Sequence, residues 1–215
     1  MTDTSYFDPD CSHCPRLVAF LSDLRGDYPD YWNAPVPAFG DPDARLLIVG
    51  LAPGKHGANA SGRPFTGDFA GILLYETLHE LGLSSKPIST AADDGLILVG
   101  CRITNAVKCL PPQNKPTTLE IGTCNSYLAN ELEALPENAV LLALGGIAHR
   151  SILKALDLKQ SKFRFAHGAV HDIGDSRKLV DSYHCSRYNT QTRRLTADMF
   201  RDAVATAKGL AGIVV

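Results

Sequence analysis

Apolar residues in this chain fall into short unbroken runs separated by longer stretches of helical spacing. Arg45 to Gly50 (RLLIVG) is a brief apolar run closed by glycine, followed by a loop rich in Gly, Pro and Asn up to Gly67; this predicts a strand and then a long loop. From Asp68 to Leu83, residues Phe69, Ile72, Leu73, Leu78 and Leu81 recur at helical intervals, with Thr66 placed to cap the start and Gly82 to stop the helix. A second strand is expected within Cys101 to Ala106. Thr117-x-x-Glu120 has the capping-box spacing and opens a helix through Ile121, Leu128, Leu132 and Leu135. Ala139 to Leu144 (AVLLAL), closed by Gly145-Gly146, predicts a buried third strand, with a helix from about Ile147 to Leu156 behind it. Leu179 to Tyr183 reads as the last strand, and Thr196 to Leu210 as a closing helix with Met199, Phe200 and Val204 on one face. Val170 to Ile173 fits a short edge strand. Alternating strands and helices imply a parallel sheet covered on both faces, with any ligand site in the loops beyond the carboxyl ends of the strands.

A chain of 215 residues that is 45% hydrophobic has one core's worth of apolar material, so residues 1–215 are expected to form a single domain. No stretch approaches the roughly 20 apolar residues of a membrane span, and the N-terminus has neither a basic start nor an apolar run. A cytoplasmic protein without a membrane partner is expected. The formal net charge of -2 does not advertise a nucleic-acid binder, but it averages over faces and hides a local basic strip. Six cysteines in a reducing compartment read as metal ligands or buried thiols rather than disulfides. Cys11-x2-Cys14 and Cys109-x14-Cys124 are two pairs able to converge on one centre, which either zinc or an iron–sulfur cubane would accept. Spacing alone favours zinc, with His13 available as a ligand, and leaves the metal open. Cys101, on a predicted strand, fits a core thiol. A four-thiolate centre would tie an N-terminal arm, residues 1–20, to the loop and helix carrying Cys109 and Cys124.

Three segments stand together in the expected loops. They are Gly50-Leu51-Ala52-Pro53-Gly54 with Gly62-Arg63-Pro64-Phe65-Thr66-Gly67-Asp68; Thr104-Asn105-Ala106-Val107-Lys108-Cys109 with Pro111-Pro112-x-Asn114; and Ser182-Tyr183-His184-x-Ser186-x-x-Asn189-Thr190. This constellation resembles the iron–sulfur uracil-DNA glycosylases, most closely the family 5 (type B) branch, from the first cysteine pair nearly to the C-terminus. The resemblance implies a three-layer α/β/α sandwich with a central four-stranded parallel sheet. It also implies a 4Fe-4S cluster on Cys11, Cys14, Cys109 and Cys124, and hydrolytic excision of uracil from DNA by a monomer. Related deaminated bases such as hypoxanthine and xanthine are expected substrates.

The chemistry accounts for the residues. A base inside a duplex must be rotated out into a pocket that stacks on its face and reads its edge. Phe65 offers the face; one amide, that of Asn105, can donate to uracil O4 and accept from N3–H. His184 is the expected donor to O2 of the departing base. Gly50, Ala52, Pro53 and Gly54 shape the pocket, with His56 a secondary contact. In the best-known glycosylase branch an acid stands where this chain has Ala52, as in the type B branch, so Asp68 becomes the water-positioning carboxylate; its other reading is an acid at a helix start. Ser186, Arg187, Tyr188, Asn189 and Arg194 are assigned to the DNA as phosphate and stacking contacts. Cys185 replaces the proline that normally follows the motif histidine, and Arg193 replaces a later glycine. Ala52 and Cys185 also motivate a rival reading, a nucleic-acid-binding iron–sulfur module without catalysis; a zinc-stabilised nucleoside hydrolase is a third.

Overall fold

The computed structural model describes residues 7–214. Its elements, in chain order, are α1 (Pro15–Asp27), β1 (Phe39–Gly40), β2 (Leu46–Gly50), α2 (Ala58–Ser61), α3 (Phe69–Glu80), β3 (Cys101–Asn105), α4 (Thr118–Glu133), β4 (Val140–Leu144), α5 (Gly146–Ala155), β5 (Val170–Asp172), β6 (Lys178–Ser182), α6 (Arg187–Gln191) and α7 (Ala197–Leu210). The strands form one sheet in the order β1-β3-β2-β4-β6-β5. Its four inner strands, β3, β2, β4 and β6, are parallel, as expected; the two short edges, β1 and β5, run antiparallel.

The unbroken apolar runs of β2 and β4 are explained by their place in the sheet, since every residue of both is buried between two helical layers. Leu46 and Ile48 point to one layer, where Leu74, Tyr75 and Leu78 of α3 meet Phe200 and Val204 of α7. Leu47 and Val49 point to the other, against Leu128 and Leu132 of α4 and Ile152 and Leu153 of α5. Successive strand residues thus feed opposite cores. Asp181, fully buried on β6, fastens one flank by accepting from His149 Nδ1 of α5 at 2.7 Å and from His171 Nε2 of β5 at 2.9 Å.

The capping box at α4 is present as expected, with Thr117 and Glu120 each satisfying the other's backbone N–H. The start of α3 differs. Asp68, not Thr66, is the N-cap, because the Thr66 hydroxyl is engaged with Arg63 Nε and with Ser89 Oγ. The buried stripe of α3 is Ala70, Leu74, Tyr75 and Leu78, while Phe69 and Ile72 face outward. Helix α1 extends beyond the expected arm. Pro15 stands at its start, where the missing N–H costs nothing, and Leu17, Leu21 and Leu24 pack on Val107 and Leu110. The arm therefore has an apolar anchor as well as its cysteines, and Arg16 adds two hydrogen bonds of 2.7 Å to the Glu120 carboxylate. The first six residues of the arm lie outside the described ones. No helix among the described residues is long and apolar enough to cross a membrane.

Candidate active site

The parallel strands end on one side of the sheet, and a cavity of about 460 Å³ opens there. Gly50, the last residue of β2, pairs with Asn105, the last of β3. A side chain at Gly50 would bring its Cβ to 2.4 Å from Asn105 Oδ1 and 2.6 Å from Phe65 Cζ, so glycine is what lets the amide and the ring close over the strand end. Phe65 holds a left-handed backbone, φ 56°, and its carbonyl fits only because α3 has Gly71 in its first turn. His184 lines the same cavity, its ring 5.8 Å from the Phe65 ring, centroid to centroid, with 27° between planes.

Asn105 and His184 line this cavity, and each holds one buried polar atom without a partner among the described residues: Asn105 Oδ1 and His184 Nδ1. Buried groups of that kind normally find a partner, so each marks a place for a ligand atom or a water. Burial lowers the His184 pKa to about 4, which leaves the ring neutral at neutral pH and able to donate from one nitrogen only. Asn189 Nδ2 donates to the His184 carbonyl at 2.8 Å. Cys185 is wholly buried in the core beneath, so the chain beyond His184 is fixed by packing where a proline would have fixed it by ring closure.

Asp68 divides its carboxylate. Oδ1 accepts from Gly71 N at 2.8 Å as the cap of α3, while Oδ2 lies 3.4 Å from where a Cβ at Gly54 would stand, at the cavity wall. Burial raises its pKa, with the N–H groups of Gly71 and Ala70 opposing. Asp68 is thus the helix cap and, with the same side chain, part of the cavity wall.

Ala52, Gly54, Phe65, Asp68, Asn105 and His184 all face the cavity, with Ser186 and Arg187 at its rim. Pro53 is buried and is not part of the wall. His56 stands outside: it is exposed, with Nδ1 3.0 Å from the Tyr31 hydroxyl and its ring edge-on to Tyr28 and Tyr31. Of the residues assigned to DNA, Tyr188 is 71% exposed and Arg194 lies over the Tyr183 ring at 4.4 Å. Asn189 Nδ2 donates to the His184 carbonyl, which makes this side chain a support of the loop. Asn114 was not assigned a role from sequence, yet it lines the cavity from a left-handed backbone, φ 56°. Its signal was an asparagine closing the Pro111-Pro112-x-Asn114 segment.

The four cysteines Cys11, Cys14, Cys109 and Cys124 line a single small cavity, joining α1, the loop after β3 and α4. Lys108 N donates to Cys124 Sγ at 3.3 Å. Burial and the neighbouring sulfurs push Cys109 up to about 12, and burial pushes Cys124 up to about 11, so a cation would be needed to hold these two as thiolates. Cys101 and Cys185 lie apart, in the core of the α3–α7 layer. Beside the centre, Lys108 and Glu131 form a buried ion pair with Nζ–Oε distances of 2.8 and 2.9 Å.

A doubly covered parallel sheet with a cavity at its carboxyl edge, lined by an aromatic ring and an amide, defines an α/β fold with its candidate site where such sheets bind ligands. Residues 37–208 match the family model of the uracil DNA glycosylase superfamily. The chain is 50% identical over 210 residues to the type-5 uracil-DNA glycosylase of Thermus thermophilus, covering 94% of each protein. It is 43% identical over 206 residues to the type-5 enzyme of Pyrobaculum aerophilum, covering 94% of this chain and 89% of that one. A type-4 uracil-DNA glycosylase of Archaeoglobus fulgidus is 34% identical over 153 residues, 69% of each. The chain belongs to the uracil DNA glycosylase superfamily.

Proposed function

We propose that this protein hydrolyses the N-glycosidic bond of uracil in DNA, leaving an abasic site for repair. The observation that carries the reading is the pair of orphaned polar atoms, Asn105 Oδ1 and His184 Nδ1, beside the Phe65 ring in one cavity. Uracil extruded from DNA stacks on Phe65. Asn105 accepts N3–H through Oδ1 and donates its amide N–H to O4, a pattern that cytosine inverts at both atoms. As the bond breaks, negative charge grows on the base and positive charge on the sugar. Neutral His184 donates a hydrogen bond to O2 and stabilises the anion without surrendering a proton. Asp68, through the oxygen not used in capping, orients the water and faces the developing sugar cation. Ala52 leaves no carboxylate in the first loop, which puts that task on Asp68.

Cys11, Cys14, Cys109 and Cys124 would hold a 4Fe-4S cluster, which would supply a structural joint between the arm and the pocket-bearing loop. The four-sulfur donor set and the N–H donor to Cys124 fit that group. The substrate range extends to hypoxanthine and xanthine, whose flat rings use the same aromatic wall. The protein acts as a cytoplasmic monomer on uracil-containing or otherwise deaminated DNA. Incubation with an oligonucleotide containing one uracil should release free base and leave an alkali-labile site. DNA binding without release would mean a non-catalytic module, and cleavage of deoxyuridine itself would mean a nucleoside hydrolase. Iron and sulfide assays should find about four of each per chain.

A further inference from the structure

Beside the catalytic cavity lies a second groove, of about 400 Å³, that shares Asp68, Phe69 and Arg187 with it. Its floor and far wall are unusually apolar for a surface: Phe69 is 36% exposed, Ile72 52% and Ile88 58%. An exposed apolar notch of this kind costs solubility unless something covers it. The loop that presents Ile88 is also held stiffly. Ser89 Oγ lies 2.6 Å from both Arg63 Nη2 and Thr66 Oγ1, and Gly67 N donates to the Ser89 carbonyl at 3.3 Å. Further along, Asp94 accepts from Arg63 at 2.6 Å and from Thr90 N at 2.9 Å. The same Arg63–Gly67 segment that carries Phe65 therefore holds the loop of Ile88. Between the two cavities stands a ridge in which the Arg187 guanidinium lies over the Phe69 ring at 4.9 Å.

We propose that this groove binds the base next to the uracil on the same DNA strand, stacked against Phe69, Ile72 and Ile88, with Arg187 on the phosphate between the two nucleotides. The inference rests on the glycosylase reading. A nucleotide drawn into the catalytic cavity stays covalently joined to its neighbours, so a groove separated from that cavity by only this one ridge lies on the path of the strand. Aromatic and aliphatic faces accept any base, and a guanidinium bridging ring and phosphate suits a sequence-tolerant contact. Gripping the neighbour holds the strand bent away from its own stack, which lowers the cost of keeping the uracil out.

The test compares the holoprotein with an Ile72→Ser/Ile88→Ser variant on oligonucleotides holding one uracil. Each is flanked by normal nucleotides or by a baseless tetrahydrofuran residue on the 5′ or the 3′ side, as single strand and as duplex. Removing the base on one of the two sides should lower kcat/KM of the unsubstituted protein by about tenfold, the scale of one stacked base. The variant should show a similar loss on the fully based substrate and no further loss when that base is removed. Excision that is indifferent to both flanking bases, or losses that multiply in the variant, would overturn the groove while leaving the glycosylase reading intact. No uracil release from any of these substrates would overturn both. Because both isoleucines are exposed, unchanged thermal unfolding of the variant is expected and separates lost contact from lost fold.

Discussion

Asn189 Nδ2 donates to the backbone carbonyl of His184, five residues earlier, at 2.8 Å. The bond ties the end of β6 to α6 and sets where the imidazole stands. Replacing Asn189 by Ala removes one hydrogen bond, a loss of about 0.5–1.5 kcal/mol in ordering the loop. Single-turnover excision should fall by about 3- to 10-fold. Asn189→Asp should fall as far, since a carboxylate cannot donate. A role in phosphate contact predicts instead a changed salt dependence of DNA binding, with the chemical step intact.

Replacing His184 by Ala should slow the chemical step by about 10²–10³-fold, the usual cost of one donor to a developing oxyanion. The pH dependence follows from its burial. The folded-state pKa lies near 4, below the ordinary histidine value of 6.5, so the folded protein favours the neutral ring. That contribution to stability is fully present above about pH 6.5 and is lost as the pH falls toward 4. Acid unfolding of the His184→Ala protein should accordingly show a shallower pH dependence across this window.

Asp68→Asn separates two roles that share one side chain. Asparagine is as good an N-cap as aspartate, so α3 should keep its start and the melting temperature should scarcely move. The excision rate should nonetheless fall by at least tenfold if the carboxylate charge serves the water and the sugar. Since burial raises the Asp68 pKa, the rate of the unsubstituted protein should decline on the acid side from a point above the ordinary aspartate value, and this limb should vanish in Asp68→Asn. A near-normal rate in single-turnover measurements would reduce Asp68 to a helix cap. Asp68→Ala, by contrast, should cost about 1 kcal/mol in thermal unfolding through the lost cap.

Asn105→Asp should weaken excision of uracil, and of hypoxanthine and xanthine with it. A carboxylate still accepts from N3–H but no longer donates to O4, and the purines present the same pair as N1–H and O6. Parallel kcat/KM measurements on the three bases decide this. Unchanged values on all three would assign Asn105 to shaping the loop over Gly50.

The inner strands were legible because burial on both faces leaves no room for polar residues, so β2 and β4 read as unbroken apolar runs. The capping box of α4 was legible because its two partners are three residues apart. Convergence of Cys11 and Cys14 with Cys109 and Cys124 was inferable from pairing and resemblance, although nothing local connects them. What was hidden depended on distant contacts. Thr66 looked like a cap until Ser89 and Arg63 claimed its hydroxyl. Phe69 and Ile72 looked like core because periodicity reports a stripe of apolar residues without saying what it faces. His56 and Asn189 sat in the right motifs, but His56 Nδ1 meets a tyrosine hydroxyl and Asn189 Nδ2 a backbone carbonyl. Helix α1 could have been found: Pro15 followed by Leu17, Leu21 and Leu24 carries both a start and a spacing.

The pocket is shaped by missing atoms as much as by present ones. A Cβ would come within 2.4 Å of Asn105 Oδ1 at Gly50, 2.4 Å of the Asp68 Cβ at Gly57 and 1.7 Å of the Phe65 carbonyl oxygen at Gly71. Each glycine thereby leaves room for one cavity residue: the Asn105 amide, the Asp68 side chain or the Phe65 backbone. In a mutating population these positions would behave as dominant points of failure: any amino-acid change there would displace a functional residue it does not replace. Shifts in base preference are therefore open to substitutions of the larger wall residues and closed at the three glycines, so the lineage can retune what the pocket accepts only by altering its walls.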